Sequence, residues 1–195
     1  MFMLSIRHIL ERARLYFAKK EIVSRVEEGL FRYTYGDMYR RICRLANALE
    51  DLGVKRGDRV ASIAWNTHRH LELHFAVPSI GGVLHTVNLR YSSEEIMYTI
   101  NKARDRILFV DLDQMSVIEK IHSGLETIEA IVIMGRRYAG KSVIDGVEVY
   151  SYEEMLENSR KERNPNLPTS FQFYSRSSYQ SRLCSRPPSY LLSIL

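Results

Sequence analysis

The chain has 195 residues, 45% of them hydrophobic and 26% charged, which gives it enough apolar surface for a core and excludes a disordered or collagen-like polymer. Cys43 and Cys184 are too few for a disulfide framework and too far apart for a close-spaced zinc signature, so a reducing, cytoplasmic setting is expected. No apolar run approaches the roughly 20 residues that span a bilayer, and residues 1–10 carry Arg7 and His8 and no small-residue cleavage site, so neither a membrane span nor a secretory leader is expected.

The formal charge of +5 invites a nucleic-acid reading, but the excess is local. Residues 169–195 hold Arg176, Arg182 and Arg186 and no acid, so the rest of the chain has 25 basic against 23 acidic side chains. No basic stripe interleaved with aromatics remains there, and nucleic acid is not an expected partner.

In chain order, residues 4–18 place Ile6, Ile9, Leu10, Ala13 and Phe17 at helical spacing. Residues 21–26 and 30–33 read as a hairpin turning through Glu27, Glu28 and Gly29. Thr34 and Asp37 suit the start of a helix whose buried face is Met38, Ile42, Leu45, Ala46 and Leu49, with Gly53 placed to end it in the left-handed conformation. After the Gly57-Asp58 turn come a strand at 59–64, a helix at about 67–80 and a strand at 83–87. Ser92 and Glu95 form a capping-box signature for a helix with Ile96, Met97, Ile100 and Ala103 on its core side. A strand at 107–110, a helix through Val117, Ile118 and Ile121, and a strand at 130–134 follow. Beyond them lies a polar excursion in which Asp145-Gly146 looks like a hairpin turn, then a short helix capped by Ser151 with Glu154. This alternation predicts an α/β fold, layered, with a mostly parallel sheet and helices on both faces.

The local chemistry points to no active site. His68, His70, His74 and His85 cluster, and His70 and His74 are four apart, yet Leu71 stands where a zincin helix needs glutamate and Glu72 is out of register. They read as ordinary polar or half-buried histidines. Gly81-Gly82 follows a helix and precedes a strand, the reverse of a phosphate-binding loop, and neither GxGxxG nor GxxxxGK[ST] occurs. Gly140-Lys141-Ser142 resembles the end of such a motif but falls in the polar excursion and reads as a loop. Ser62, Ser79 and Ser116 lack a glycine-flanked elbow, and Cys43, beside the apolar face of its helix, reads as a small hydrophobe.

The stretch WNTHRHLELHFAVPSIGGVLHTVNLRYSSEEIMYTINKARDRILFVD, residues 65–111, resembles the N-terminal region of fatty acyl-CoA synthetases, AMP-forming enzymes of the adenylate-forming superfamily. The likeness continues through EIVSRV, FRYTYGDMYRRICRLANALEDLGVKRGDRVA, IEAIVIMG and SYEEML, and covers most of residues 10–157. It implies a reaction in which a carboxylate attacks the ATP α-phosphate and the CoA thiol then displaces AMP, with ATP, Mg2+ and CoA serving the parent family. In that family a loop of the form SGTTGxPKG follows the segment matching residues 151–156; here SFQFYSRSSYQSRLCSRPPSYLLSIL stands in its place, without glycine or lysine. The segments 34–38 and 81–88 match as scaffold, and the proline common in the family after the asparagine is Leu89 here. No residue of this chain receives a catalytic, cofactor-binding or metal role from the resemblance.

The composition changes abruptly at Thr169. Residues 169–195 contain eight serines, Pro187-Pro188 and no glycine, and are expected to be an irregular, disordered tail unrelated to residues 1–168. A reading-frame change near Thr169 would produce this join. The expectation is a truncated N-terminal subdomain of a fatty acyl-CoA synthetase, inactive alone. The alternatives are an interaction or dimerisation module, with itself or a full-length synthetase as partner, and one half of a split synthetase.

Overall fold

The computed structural model describes residues 6–26, 29–135, 143–144 and 146–159. The expected α/β layering holds, with helices on both faces of a six-stranded sheet. The first helix, α1, is Ile6–Phe17, and the hairpin strands β1, Glu21–Val26, and β2, Gly29–Thr34, pair antiparallel in a sheet of their own. Glu27 and Glu28 of the expected turn lie outside the described residues.

Helix α2 spans Tyr35–Asp51. Its start is the expected one: the Asp37 amide donates to Thr34 Oγ1 at 3.1 Å and the Thr34 amide donates to an Asp37 carboxylate oxygen at 3.0 Å. At its end Val54 N–H reaches Leu49 C=O at 3.0 Å and Gly53 N–H reaches Glu50 C=O at 2.9 Å, a Schellman closure that requires the φ of +78° at Gly53. Helix α3, His68–Ser79, ends the same way, with Gly82 N–H on Val77 C=O at 3.1 Å, Gly81 N–H on Pro78 C=O at 3.0 Å and φ of +85° at Gly81. Gly81-Gly82 is therefore a helix exit.

Strands β3, Arg59–Ile63, β4, Val83–Thr86, β5, Ile107–Asp111, and β6, Ala130–Met134, are parallel neighbours in the spatial order β4-β3-β5-β6. Helix α4, Ser93–Ala103, opens with the expected Ser92–Glu95 capping box, and α5, Met115–Ile121, precedes β6. Beyond β6 the polar excursion holds β7, Val143–Ile144, and β8, Val147–Ser151. These pair antiparallel, as the expected hairpin requires, and β8 also joins β6 in parallel, a pairing its sequence did not announce. Gly146 has φ of +85°, whereas Asp145 and the Gly140-Lys141-Ser142 segment lie outside the described residues, as do residues 160–195 with the Ser/Arg-rich tail. The last helix, α6, is Tyr152–Asn158. Ser151 is its N-cap residue but makes no capping bond, and its buried hydroxyl has no partner, which corrects the expected Ser151–Glu154 cap.

Side chains alternate across the sheet. Val60, Phe109 and Val132 face α2, α3, α6 and Leu10 of α1, while Ala61, Leu108, Val110 and Ile131 face α4 and α5. All residues of β5 and β6 are buried, as expected for central parallel strands covered on both sides.

Candidate functional site at the strand ends

The chain runs from β3 through α3 to β4 on one side, then through α4 to β5 on the other side of β3, and these two helices cover opposite faces. The strand order thus reverses at β3/β5. In open parallel sheets such a reversal leaves a crevice beyond the carboxyl ends of the two strands, where ligands sit. A cleft of about 300 Å³ lies there, lined by residues that include Arg25, Trp65, Thr67, Arg69, Asp111 and Asp113.

Trp65 organises this cleft. Its backbone N–H donates to Asp111 at 2.6 Å and its indole Nε1–H to Asp113 at 2.8 Å, so the end of β3 is pinned to the end of β5. Its ring is still 53% exposed and forms one wall. The hairpin supplies the rim: Ser24 Oγ accepts from the His68 amide at 2.9 Å, and the Phe31 ring stacks on the His68 imidazole at 4.1 Å.

Behind the cleft a half-buried ionic cluster centred on fully buried Glu72 locks three helices together. Arg41 of α2 donates to Glu72 of α3 at 2.8 Å and to both oxygens of Glu153 of α6 at 2.9 and 3.1 Å. Arg69 donates to Glu153 at 2.8 Å, and the Tyr152 hydroxyl donates to Glu72 at 2.7 Å. Burial raises the pKa of the Glu72 carboxyl despite Arg41 beside it. Burial also works against ionisation of Glu153, but the bonds from Arg41 and Arg69 outweigh it and hold that carboxyl low. Burial opposes the charge on Arg41 as well, and its two carboxylate partners more than compensate. Arg69 is thereby fixed at the edge of the cleft.

The histidines do not gather at one point. His68 is buried against Phe31 and Tyr33 with neither ring nitrogen hydrogen-bonded, and burial, then Arg69 and Arg41, depress its pKa to about 3. His70 meets Ser62 Oγ at 3.1 Å in the core, with its pKa lowered to about 4 by burial and by His74. His74 Nδ1 lies 2.8 Å from the His70 carbonyl, and His85 Nδ1 lies 2.7 Å from buried Asp105. The Ser62–His70 pair is too buried to meet a substrate. Cys43 is half-buried on α2 next to Tyr39. Among the described residues no group of three histidine, cysteine or acidic side chains could hold a metal ion.

Sequence reasoning missed both the tryptophan bridge and the ionic cluster. A signal existed for the second: Arg41 and Glu72 are opposite charges set within the apolar stripes of two successive helices.

The family model described as AMP-binding enzyme matches residues 10–179. The chain belongs to the AMP-binding enzyme family. The family match passes the composition change at Thr169 before it stops. Among curated relatives, the long-chain-fatty-acid–CoA ligase of Thermus thermophilus is 44% identical over 135 residues, covering 69% of this chain and 25% of the relative. The medium-chain-fatty-acid–CoA ligase of Ectopseudomonas oleovorans is 36% identical over 155 residues, covering 78% and 28%. The chain thus spans about a quarter of the length of these relatives. In fold, this AMP-binding family member is similar to the anthranilate CoA ligase AuaEII in complex with anthranoyl-AMP, with TM-score 0.67 and 22% identity over 80% of this chain and 28% of that one. It is also similar to a fatty acyl CoA synthetase of Mycobacterium tuberculosis, with TM-score 0.60 and 18% identity over 81% and 29%.

Proposed function

We propose that these residues form the N-terminal subdomain of a fatty acyl-CoA ligase, a scaffold that carries no adenylating group of its own. The observation behind this reading is the family match over residues 10–179 together with relatives named as fatty-acid–CoA ligases, each aligned over about a quarter of its length. In the parent reaction a carboxylate oxygen of the fatty acid attacks the α-phosphorus of ATP and pyrophosphate leaves. The CoA sulfur then attacks the acyl carbon of the adenylate and AMP leaves. Such chemistry needs cationic groups and backbone amides aimed at the phosphates.

The described residues do not fit that task. Asp111 and Asp113 accept from Trp65, Arg69 is held by Glu153, and no glycine-rich loop opens a helix at the cleft. Among the described residues no group of three histidine, cysteine or acidic side chains could hold Mg2+. The part played by this region is to hold the strand ends and the Trp65 wall in fixed geometry for groups supplied by other residues, in a reducing, cytoplasmic setting. Acid-dependent exchange of labelled pyrophosphate into ATP tests this. The purified chain with Mg2+, ATP and a fatty acid should give no exchange above the acid-free control, and exchange that depends on added acid would overturn the scaffold reading.

A further inference from the structure

We propose that α1 and the turn behind it form a surface that binds an anionic lipid bilayer. This inference does not depend on the ligase reading. Helix α1 gives the core only Leu10, whereas Ile9 is 61% exposed, Leu15 63% and Tyr16 76%. Ile9, Arg12 and Tyr16 are three and four residues apart and so share one helix face, with Leu15 beside it. Arg12 is exposed, and exposed Lys19 and Lys20 extend the cationic edge past the end of the helix. The single acid of α1, Glu11, is half-buried and ion-paired with Arg7 at 2.7 Å.

This pattern decides between occupants. A second copy of the chain would set like charges against each other. A nucleic acid would neutralise Arg12, Lys19 and Lys20 but leave Ile9 and Leu15 against water. A lipid surface satisfies both sets: apolar tips enter the acyl boundary, Tyr16 stands at headgroup level, and the long cationic side chains reach back to anionic headgroups. The helix would lie flat on the bilayer and not cross it; no helix among the described residues is long and apolar enough to cross.

Flotation of the full chain with vesicles tests the proposal. Binding is expected to phosphatidylcholine vesicles containing phosphatidylglycerol, and to fall about tenfold or more on pure phosphatidylcholine. The variants I9S/L15S/Y16S and R12E/K19E should each lose binding while keeping the parent's circular dichroism and melting temperature. The control R90E/K102E makes the same charge change at exposed positions around α4 and should bind as the parent does. The proposal is overturned if the parent does not float with anionic vesicles, or if the control loses as much as R12E/K19E. It is also overturned if the apolar variant binds undiminished, or if the chain takes up duplex or single-stranded nucleic acid with the same dependence on Ile9, Leu15 and Tyr16.

Discussion

His68 sits in the core with two unbonded ring nitrogens, and its pKa of about 3 lies well below the usual histidine value near 6.5. Above pH 6.5 both folded and unfolded forms are neutral there and nothing is lost. Below it the unfolded chain takes up a proton that the folded chain refuses, so stability falls as pH drops from 6.5 towards the folded value. His70, at about 4, acts in the same direction. Urea unfolding at pH 7.5 and pH 5 should therefore show a loss on the order of 2 kcal/mol per buried histidine. Acidic groups with depressed pKa, such as Glu153 and Asp37, keep their contribution at pH 5 and lose it only at lower pH. Burial raises the Glu72 carboxyl's pKa, which works in the opposite direction to the histidines, so His68→Phe should preserve the stack on Phe31 and shrink the loss between pH 7.5 and pH 5; an unchanged difference would exclude His68 as its source. The ionic cluster makes a second prediction at this scale. Arg41→Met leaves Glu72 buried without its cation and should cost about 3–5 kcal/mol in urea unfolding, with part of the loss recovered in Arg41→Met/Glu72→Leu.

At the scale of elements, the helix starts were the most legible feature and also the most uneven. Thr34–Asp37 and Ser92–Glu95 carry the capping-box pattern and make both reciprocal bonds, whereas Ser151–Glu154 carries the same pattern and makes neither. The difference is environment: Ser151 belongs to β8, paired in the sheet, and its side chain is buried before the helix begins. Thermal or urea unfolding should show Thr34→Ala and Ser92→Ala each costing about 1 kcal/mol, while Ser151→Ala is neutral or slightly stabilising because its hydroxyl has no partner to lose. The central parallel strands and their covering helices were readable because short apolar runs, residues 107–110 and Ala130–Met134, alternate with segments of 3.6-residue periodicity. The pairing of β8 with β6 was not readable, since a strand that is only partly buried has no such run and its neighbour is set by the whole sheet. The cleft was illegible for a related reason: Trp65 and Asp111 meet only because β3 and β5 are adjacent, a fact of topology that no local spacing carries.

For the whole molecule, membership of the AMP-binding enzyme family and the α/β frame agree, and the resemblance expected from residues 65–111 is upheld by relatives named as fatty-acid–CoA ligases. What the frame contributes is rigidity at a topological reversal: the Trp65 bridge across the strand ends, the hairpin at the rim and the Arg41–Glu72–Glu153–Arg69 cluster behind. A chimera tests this most directly. Residues 10–157 of this chain would replace the matching segment of the Thermus thermophilus ligase, and fatty acyl-CoA formation would be measured against the intact relative. If these residues are a working ligase subdomain, the chimera forms acyl-CoA while the chain alone forms none; a chimera that folds and melts cooperatively yet makes no acyl-CoA would contradict it.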